Sequence, residues 1–209
     1  MLELSCPATQ GNTPNLLTRN DAAKWAGIDD PPSVAATLGA VHRRWGLPDD
    51  RLIRWLLDQG VNEYAMLEPW PLGGTRVRFD GYGFDVVPDG ELAITFRVED
   101  TDVLDLAAWA PQTGRLASWR GVAFALGQDS IFNPASYFTG SALRVHRTPL
   151  DWLKADREGI VIVKPELTFA YLRNSQRLSF RDEALARQVR RWIEPPKTRV
   201  QLLIEVPAA

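Results

Sequence analysis

The chain has 209 residues, 45% apolar and 24% charged, with a formal net charge of −2, ordinary globular usage and length enough to bury a core unaided. Its one cysteine, Cys6, and two histidines, His42 and His146, exclude an intrachain disulfide and a four-cysteine zinc site. No apolar run nears the roughly 18 residues of a membrane span, and the opening MLELSCPATQGNTPN lacks the charged-then-apolar order of a signal peptide. A soluble, cytoplasmic protein without cofactor or metal is expected.

Residues 1–18 read as a polar, irregular lead-in carrying Pro7, Gly11 and Pro14. Asn20 is placed to cap a short helix, Asp21–Ala26, that Gly27 ends. Ser33 is placed to cap the next, in which Val34, Leu38, Val41 and Trp45 recur at helical spacing and Gly46 closes the end. Pro48 opens a third, with Leu52, Trp55 and Leu56 on one face and Gly60 as its stop. The link Gly46-Leu47-Pro48-Asp49 invites a helix-turn-helix reading. Arg51 and Arg54 share their helix with Asp49, Asp50 and Asp58, however, so a helical hairpin packed on a sheet is expected instead.

The period then changes. In TRVRFDGYGFDVVPDGELAITFRVED (75–100), apolar and polar residues alternate around turn signals at Gly81, Gly83 and Pro88-Asp89-Gly90. This predicts an antiparallel meander of about three strands. DVLDLAAWAPQTGR (102–115) reads as a short helix ended by Pro111 and Gly114, residues 116–127 as either a strand or a short helix, and 128–140 as an aromatic-rich loop.

From residue 141 strands and helices alternate. Ala142–His146 reads as a strand, and Thr148-Pro149-Leu150-Asp151 as a well-formed helix start in a helix that Gly159 ends. Ile160–Val163 is a β-branched run suited to a strand covered on both faces. Leu167, Ala170 and Tyr171 suggest a helix and Gln176–Phe180 a strand; a capping box from Ser179 to Asp182 opens a helix carrying Leu185, Val189, Trp192 and Ile193. After Pro195-Pro196, Arg199–Val206 reads as a last strand. The expected fold is α/β (α+β overall): a helical N-terminal segment (1–65), a β-meander region (66–140) and a C-terminal three-layer βαβαβαβ unit (141–209), the last two forming either separate regions or one compact domain.

Neither GxGxxG nor GxxxxGK[ST] occurs, and no GxSxG elbow, so dinucleotide binding, P-loop hydrolysis and an α/β-hydrolase nucleophile are not indicated. Glu99, Asp100, Asp102 and Asp105 crowd together; they suit either Mg²⁺ or, more simply, the positive end of a helix. His146 ends a strand, where open α/β sheets hold ligands, yet has no nucleophile or acid partner nearby in sequence. Charge is divided unevenly. Residues 141–209 carry 13 Lys/Arg against 8 Asp/Glu, whereas 1–140 carry 11 against 18, so the basic C-terminal part is a candidate phosphate footprint.

The order ITFRVEDTDVLDLAAWAPQTGRLASWRGVAFALG, followed by a β-helix-β unit on HRTPLDWLKADREGIVIV, resembles toprim-type primase proteins of proteobacterial mobile elements over residues 90–165. The resemblance implies a toprim-like fold and an association with nucleic acid in a phage or integrated element. Active members of that family carry a glutamate at the end of the first toprim strand and an Asp-x-Asp pair after a later one, which bind Mg²⁺. Here Val145-His146-Arg147 and Lys164-Pro165-Glu166 stand at the two strand ends, and no cysteine cluster supplies a primase zinc module. The resemblance therefore implies a degenerate relative that lacks this catalysis. Arg144, Arg147, Lys164, Arg190 and Arg191 are the candidate contacts to DNA or RNA. The alternative is a protein–protein interaction module, an adaptor or inhibitor, anchored by Phe132, Tyr137 and Phe138. A hydrolase or transferase built on His146 is the third reading.

Overall fold

In a computed structural model, which describes residues 34–81, 83–99 and 103–194, the apolar periods of the N-terminal third become helices α1 (Val34–Trp45), α2 (Asp50–Asp58) and α3 (Glu63–Leu67). The helix expected at Asp21–Ala26, the cap at Ser33 and the strand expected at Arg199–Val206 lie outside the described residues. The chain forms two units, Met1–Ile53 with Trp70–Ala123, and Arg54–Pro69 with Phe124–Ala209.

The first unit holds a five-stranded antiparallel sheet of β1 (Gly73–Phe79), β2 (Phe84–Val86), β3 (Glu91–Glu99), β4 (Val103–Ala110) and β5 (Arg115–Ser118), in the order β2-β1-β3-β4-β5. The antiparallel expectation for 75–100 is met, but β1 pairs with β3, from Gly73 opposite Thr95 to Val77 opposite Glu91. The three-residue β2 is left on the edge, beside β1 alone. Leu38 and Val41 of α1 pack on Leu106, with Trp45 and Trp119 against the same cluster. Trp45 also meets Phe84 and Trp119 edge-on, at ring separations of 6.1 and 5.5 Å. That explains the helical spacing of these residues.

Residues 103–115 depart from the helix expected over 102–115. They are the strand β4 and its turn into β5, not a helix. From Asp105 to Ala110 every residue is buried, so both faces are covered and no polar residue marks a period of two. A short apolar run of this kind reads the same as a buried helix, and its alanines favour the wrong choice.

The second unit holds a four-stranded mixed sheet of β6 (Ala125–Leu126), β7 (Leu143–His146), β8 (Ile160–Ile162) and β9 (Leu178–Phe180), ordered β6-β8-β7-β9. β7 runs parallel to both β8 and β9, while β6 is antiparallel to β8. Between them lie the short helices α4 (Pro149–Leu153) and α5 (Thr168–Leu172), and α6 (Glu183–Ile193) follows β9. Leu143 and Val145 of β7, Ile160 of β8, Leu172 of α5, and Leu185 and Val189 of α6 share one core with Phe124 and Ile131. Residues 128–140, read as a loop, form two 3-10 turns, Gln128–Ile131 and Pro134–Gly140.

Two helix boundaries differ from expectation. α4 ends at Leu153 rather than running to Gly159, and the chain turns through Asp156 (φ 53°) and Arg157 (φ 63°). Side-chain bonds hold that turn: Asn62 donates to Asp156 at 2.7 Å, and Arg157 Nε donates to the Ala65 carbonyl at 2.7 Å. The cap of α6 is Asp182, not Ser179, because Ser179 belongs to β9 while Asp182 accepts from Ala184 and Leu185 N–H. The architecture is thus mixed α+β: N-terminal helices, an antiparallel five-stranded sheet, then a mixed sheet with interspersed short helices. Among the described residues no helix is long and apolar enough to cross a membrane.

Candidate functional site

In a parallel sheet the natural ligand crevice lies beyond the carboxyl ends of neighbouring strands whose connections leave in opposite directions. In the second unit that point falls between β7 and β9, since β8 and β9 flank β7 on its two sides. The residues there are His146, Arg147 and Thr148 after β7, and Arg181 and Asp182 after β9. Arg147 is ion-paired to Asp182, whose other oxygen accepts from Ala184 N–H at 2.8 Å and Leu185 N–H at 3.2 Å. Those backbone bonds to the α6 N–H groups, with the Arg147 guanidinium, hold the Asp182 carboxyl below the usual range. Thr148 Oγ1 accepts from Asp151 N–H at 3.2 Å, as the capping pattern predicts. This crevice is occupied by its own capping groups.

His146 is buried, and its Nε2–H donates to the Glu158 carbonyl at 2.8 Å. Burial lowers its pKa, the Glu158 carbonyl and Asp151 oppose the shift, and Arg181 and Arg144 add to it. The ring is therefore neutral at pH 7, with Nε2 committed to the backbone. His42 is likewise buried, its Nε2 3.3 Å from the Thr95 carbonyl.

Of the acidic run, Glu99 and Asp105 fall among the described residues. Asp100 and Asp102 lie outside the described residues, and among the described residues no group of three or more His, Cys, Asp or Glu side chains converges. Asp105 caps no helix, since it sits within β4. It is fully buried and accepts four backbone N–H groups: Leu106 (2.8 Å) and Arg120 (2.9 Å) on Oδ1, Val122 (2.9 Å) and Ala123 (3.1 Å) on Oδ2. The carboxylate is the organising centre of the 119–123 turn.

The five candidate cations are not equivalent. Arg144 pairs with Glu158 at 3.0 Å, Arg147 with Asp182, and Lys164 with Glu166 at 3.7 Å. Arg190 and Arg191 are exposed on α6 with no carboxylate partner among the described residues. Arg190 lines an apolar cleft of about 420 Å³ with Leu178 and Phe180 of β9 and Ala186, Val189 and Ile193 of α6.

Three further arginines, Arg173, Arg177 and Arg181, frame β9 at four-residue intervals, are exposed, and have no carboxylate partner among the described residues. Their signal in the sequence is the repeat R-x-x-x-R-x-x-x-R, which falls in and around turns rather than on a helix face. Arg177 Nη1 reaches the Gly140 carbonyl at 3.3 Å, which ties this row to the 3-10 turn Pro134–Gly140.

No family model, curated protein or solved structure matches the chain.

The aromatic residues of that turn divide. Phe132 and Phe138 are 66% and 73% exposed. Tyr137 is half-buried against the core and donates its hydroxyl to the Ile131 carbonyl at 2.9 Å, so it braces the turn instead of offering an anchor.

Proposed function

We propose that the protein is a non-catalytic, nucleic-acid-associated member of a phage or mobile-element system, a degenerate toprim-like scaffold that binds phosphate backbone along one edge of its second unit. The parallel steps from β7 through α4 to β8, and across β7 to β9, are compatible with a toprim-like reading of 141–209. Strand β9 is followed by Arg181-Asp182-Glu183, where Asp182 serves as a helix cap. The position after β7 is His146-Arg147, with the histidine turned to a backbone carbonyl.

The observation that carries the proposal is the sorting of charge. The carboxylates Glu158, Glu166 and Asp182 are committed to Arg144, Lys164 and Arg147. Arg173, Arg177, Arg181, Arg190 and Arg191, after α5, around β9 and on α6, are exposed and have no carboxylate partner among the described residues. Unpaired arginines in a row suit a repeating anion, because each guanidinium presents a fork of donors that fits a phosphate. Exposed Phe132 and Phe138 favour the second reading, a protein–protein interaction module.

Binding of labelled duplex DNA, single-stranded DNA and RNA at 50 mM salt separates the two. Micromolar or tighter binding to at least one is the expected result. No binding to any of them removes the proposal and leaves the interaction module.

A further inference from the structure

Phe132 and Phe138 are the most exposed large apolar side chains of the described residues; the ring of the first and the backbone of the second are anchored. Phe132 packs at a tilt on Tyr171, with ring centroids 6.4 Å apart. Tyr171 in turn stacks on the fully buried Phe124 at 4.6 Å and 9°. A continuous run of rings thus leads from the core to the surface. The Phe138 carbonyl accepts from both the hydroxyl and the N–H of Ser141, at 2.7 and 3.1 Å. Asn133 caps the intervening turn through Ala135 N–H at 3.0 Å. A ring already packed, as in Phe132, and a backbone already bonded, as at Phe138, lower the ordering cost of anything that settles there.

The surroundings are cationic. Arg177 bonds to Gly140, two residues beyond Phe138. Arg173 follows α5 directly, two residues beyond the Tyr171 that supports Phe132, and lies over Phe169 at 5.4 Å. Exposed rings, with arginines that lack carboxylate partners on the adjoining segments, match a ligand that offers flat apolar surfaces and negative charge in alternation. Unpaired nucleotides do this. A duplex hides its base faces in the stack, and an acidic peptide has no comparable repeat of planar surfaces.

We infer that Phe132 and Phe138 form a stacking platform for the bases of a single-stranded nucleic acid whose phosphates lie on Arg173 and Arg177. This deepens, and rests on, the phosphate-binding proposal. Stacking carries no base identity, so the platform is tolerant of sequence.

The test titrates the full chain with a fluorescent single-stranded oligonucleotide, the duplex of the same sequence, and inorganic polyphosphate as a chain of bare charge. The proposal expects the single strand to bind tighter than the duplex. It also expects Phe132→Ala with Phe138→Ala to weaken the single strand by at least about 30-fold, with the other two ligands changed by less than about twofold. Phe138→Trp should restore affinity relative to Phe138→Ala, since a larger ring still stacks. Both rings are at the surface, so the melting temperature of the double variant should match the parent and exclude misfolding. Equal binding of single strand and duplex, unaffected by the ring variants, overturns the platform but leaves phosphate binding standing. Failure of all three ligands to bind overturns both, and a protein partner becomes the explanation for the exposed rings.

Discussion

A single carboxylate shows how far a residue's role depends on its surroundings. Asp105 belongs to the acidic run that suggests metal or a helix dipole, yet it is buried and serves four backbone donors, one in its own strand and three in residues 120–123. A buried N–H without a partner costs about 1–3 kcal/mol. Asp105→Asn keeps one oxygen and turns an NH₂ toward two donors, so it should destabilise the fold by about 2 kcal/mol or more in urea denaturation; an unchanged midpoint would contradict the geometry. His146 makes a pH prediction. Its folded pKa lies below the ordinary 6.5 because it is buried, so below about pH 6.5 the unfolded chain takes up the proton first. Stability should fall as pH drops from about 6.5 toward the folded pKa and level off beneath it. Glu158, Asp151, Arg144 and Arg181 surround the ring, and His146→Gln retains a donor for the Glu158 carbonyl. The pH dependence of unfolding between 7 and 5 should therefore be shallower in that variant than in the parent.

At the scale of elements, legibility followed the clarity of the period. Helices α1 and α6 were readable because each has one dry face and one wet face: Leu38 and Val41 are buried while Arg43 and Arg44 are exposed, and Leu185 and Val189 are buried while Arg190 and Arg191 are exposed. Strand β4 was not, because it has no wet face to count. The pairing of β1 with β3 was also hidden, since turn residues between successive strands say nothing of which strands meet. Caps were legible where hydroxyl, proline and acid fall in order, as at Thr148; at Asp182 the neighbouring Ser179 offered an equally good but false start. Among site residues, Arg190 and Arg191 were visible as a pair on a helix, whereas the ion pairs that occupy Arg144 and Arg147 join residues 14 and 35 positions apart. No local pattern announces those. Helix α6 supplies the prediction at this scale. Leu185 sits in the same core as Val145 and Ile160, so Leu185→Ala should cost about 2–4 kcal/mol by transfer and cavity terms together. A melting curve equal to the parent's would show that α6 does not cover the sheet.

Across the whole molecule the net charge of −2 conceals a basic C-terminal part, within which Glu158, Asp182 and Glu183 pair with Arg144, Arg147 and Arg187 while other arginines have no carboxylate partner among the described residues. On the proposed function, that distribution would place affinity in phosphate contacts, with little discrimination between sequences. The acidic remainder of the chain opposes binding at long range, so affinity should be modest and fall steeply with salt. Each phosphate neutralised releases condensed counterion, giving a slope of log K against log[salt] of about −0.9 per contact on duplex DNA and about −0.7 on a single strand. Three to five contacts among Arg173, Arg177, Arg181, Arg190 and Arg191 place the slope at about −2 to −4.5. The most direct measurement is this slope for the parent and for Arg190→Ala with Arg191→Ala, using two unrelated sequences. The charge arrangement predicts equal weakening on both sequences and a slope shallower by about one to two units. A slope unchanged by removing both arginines, or a loss confined to one sequence, would contradict it.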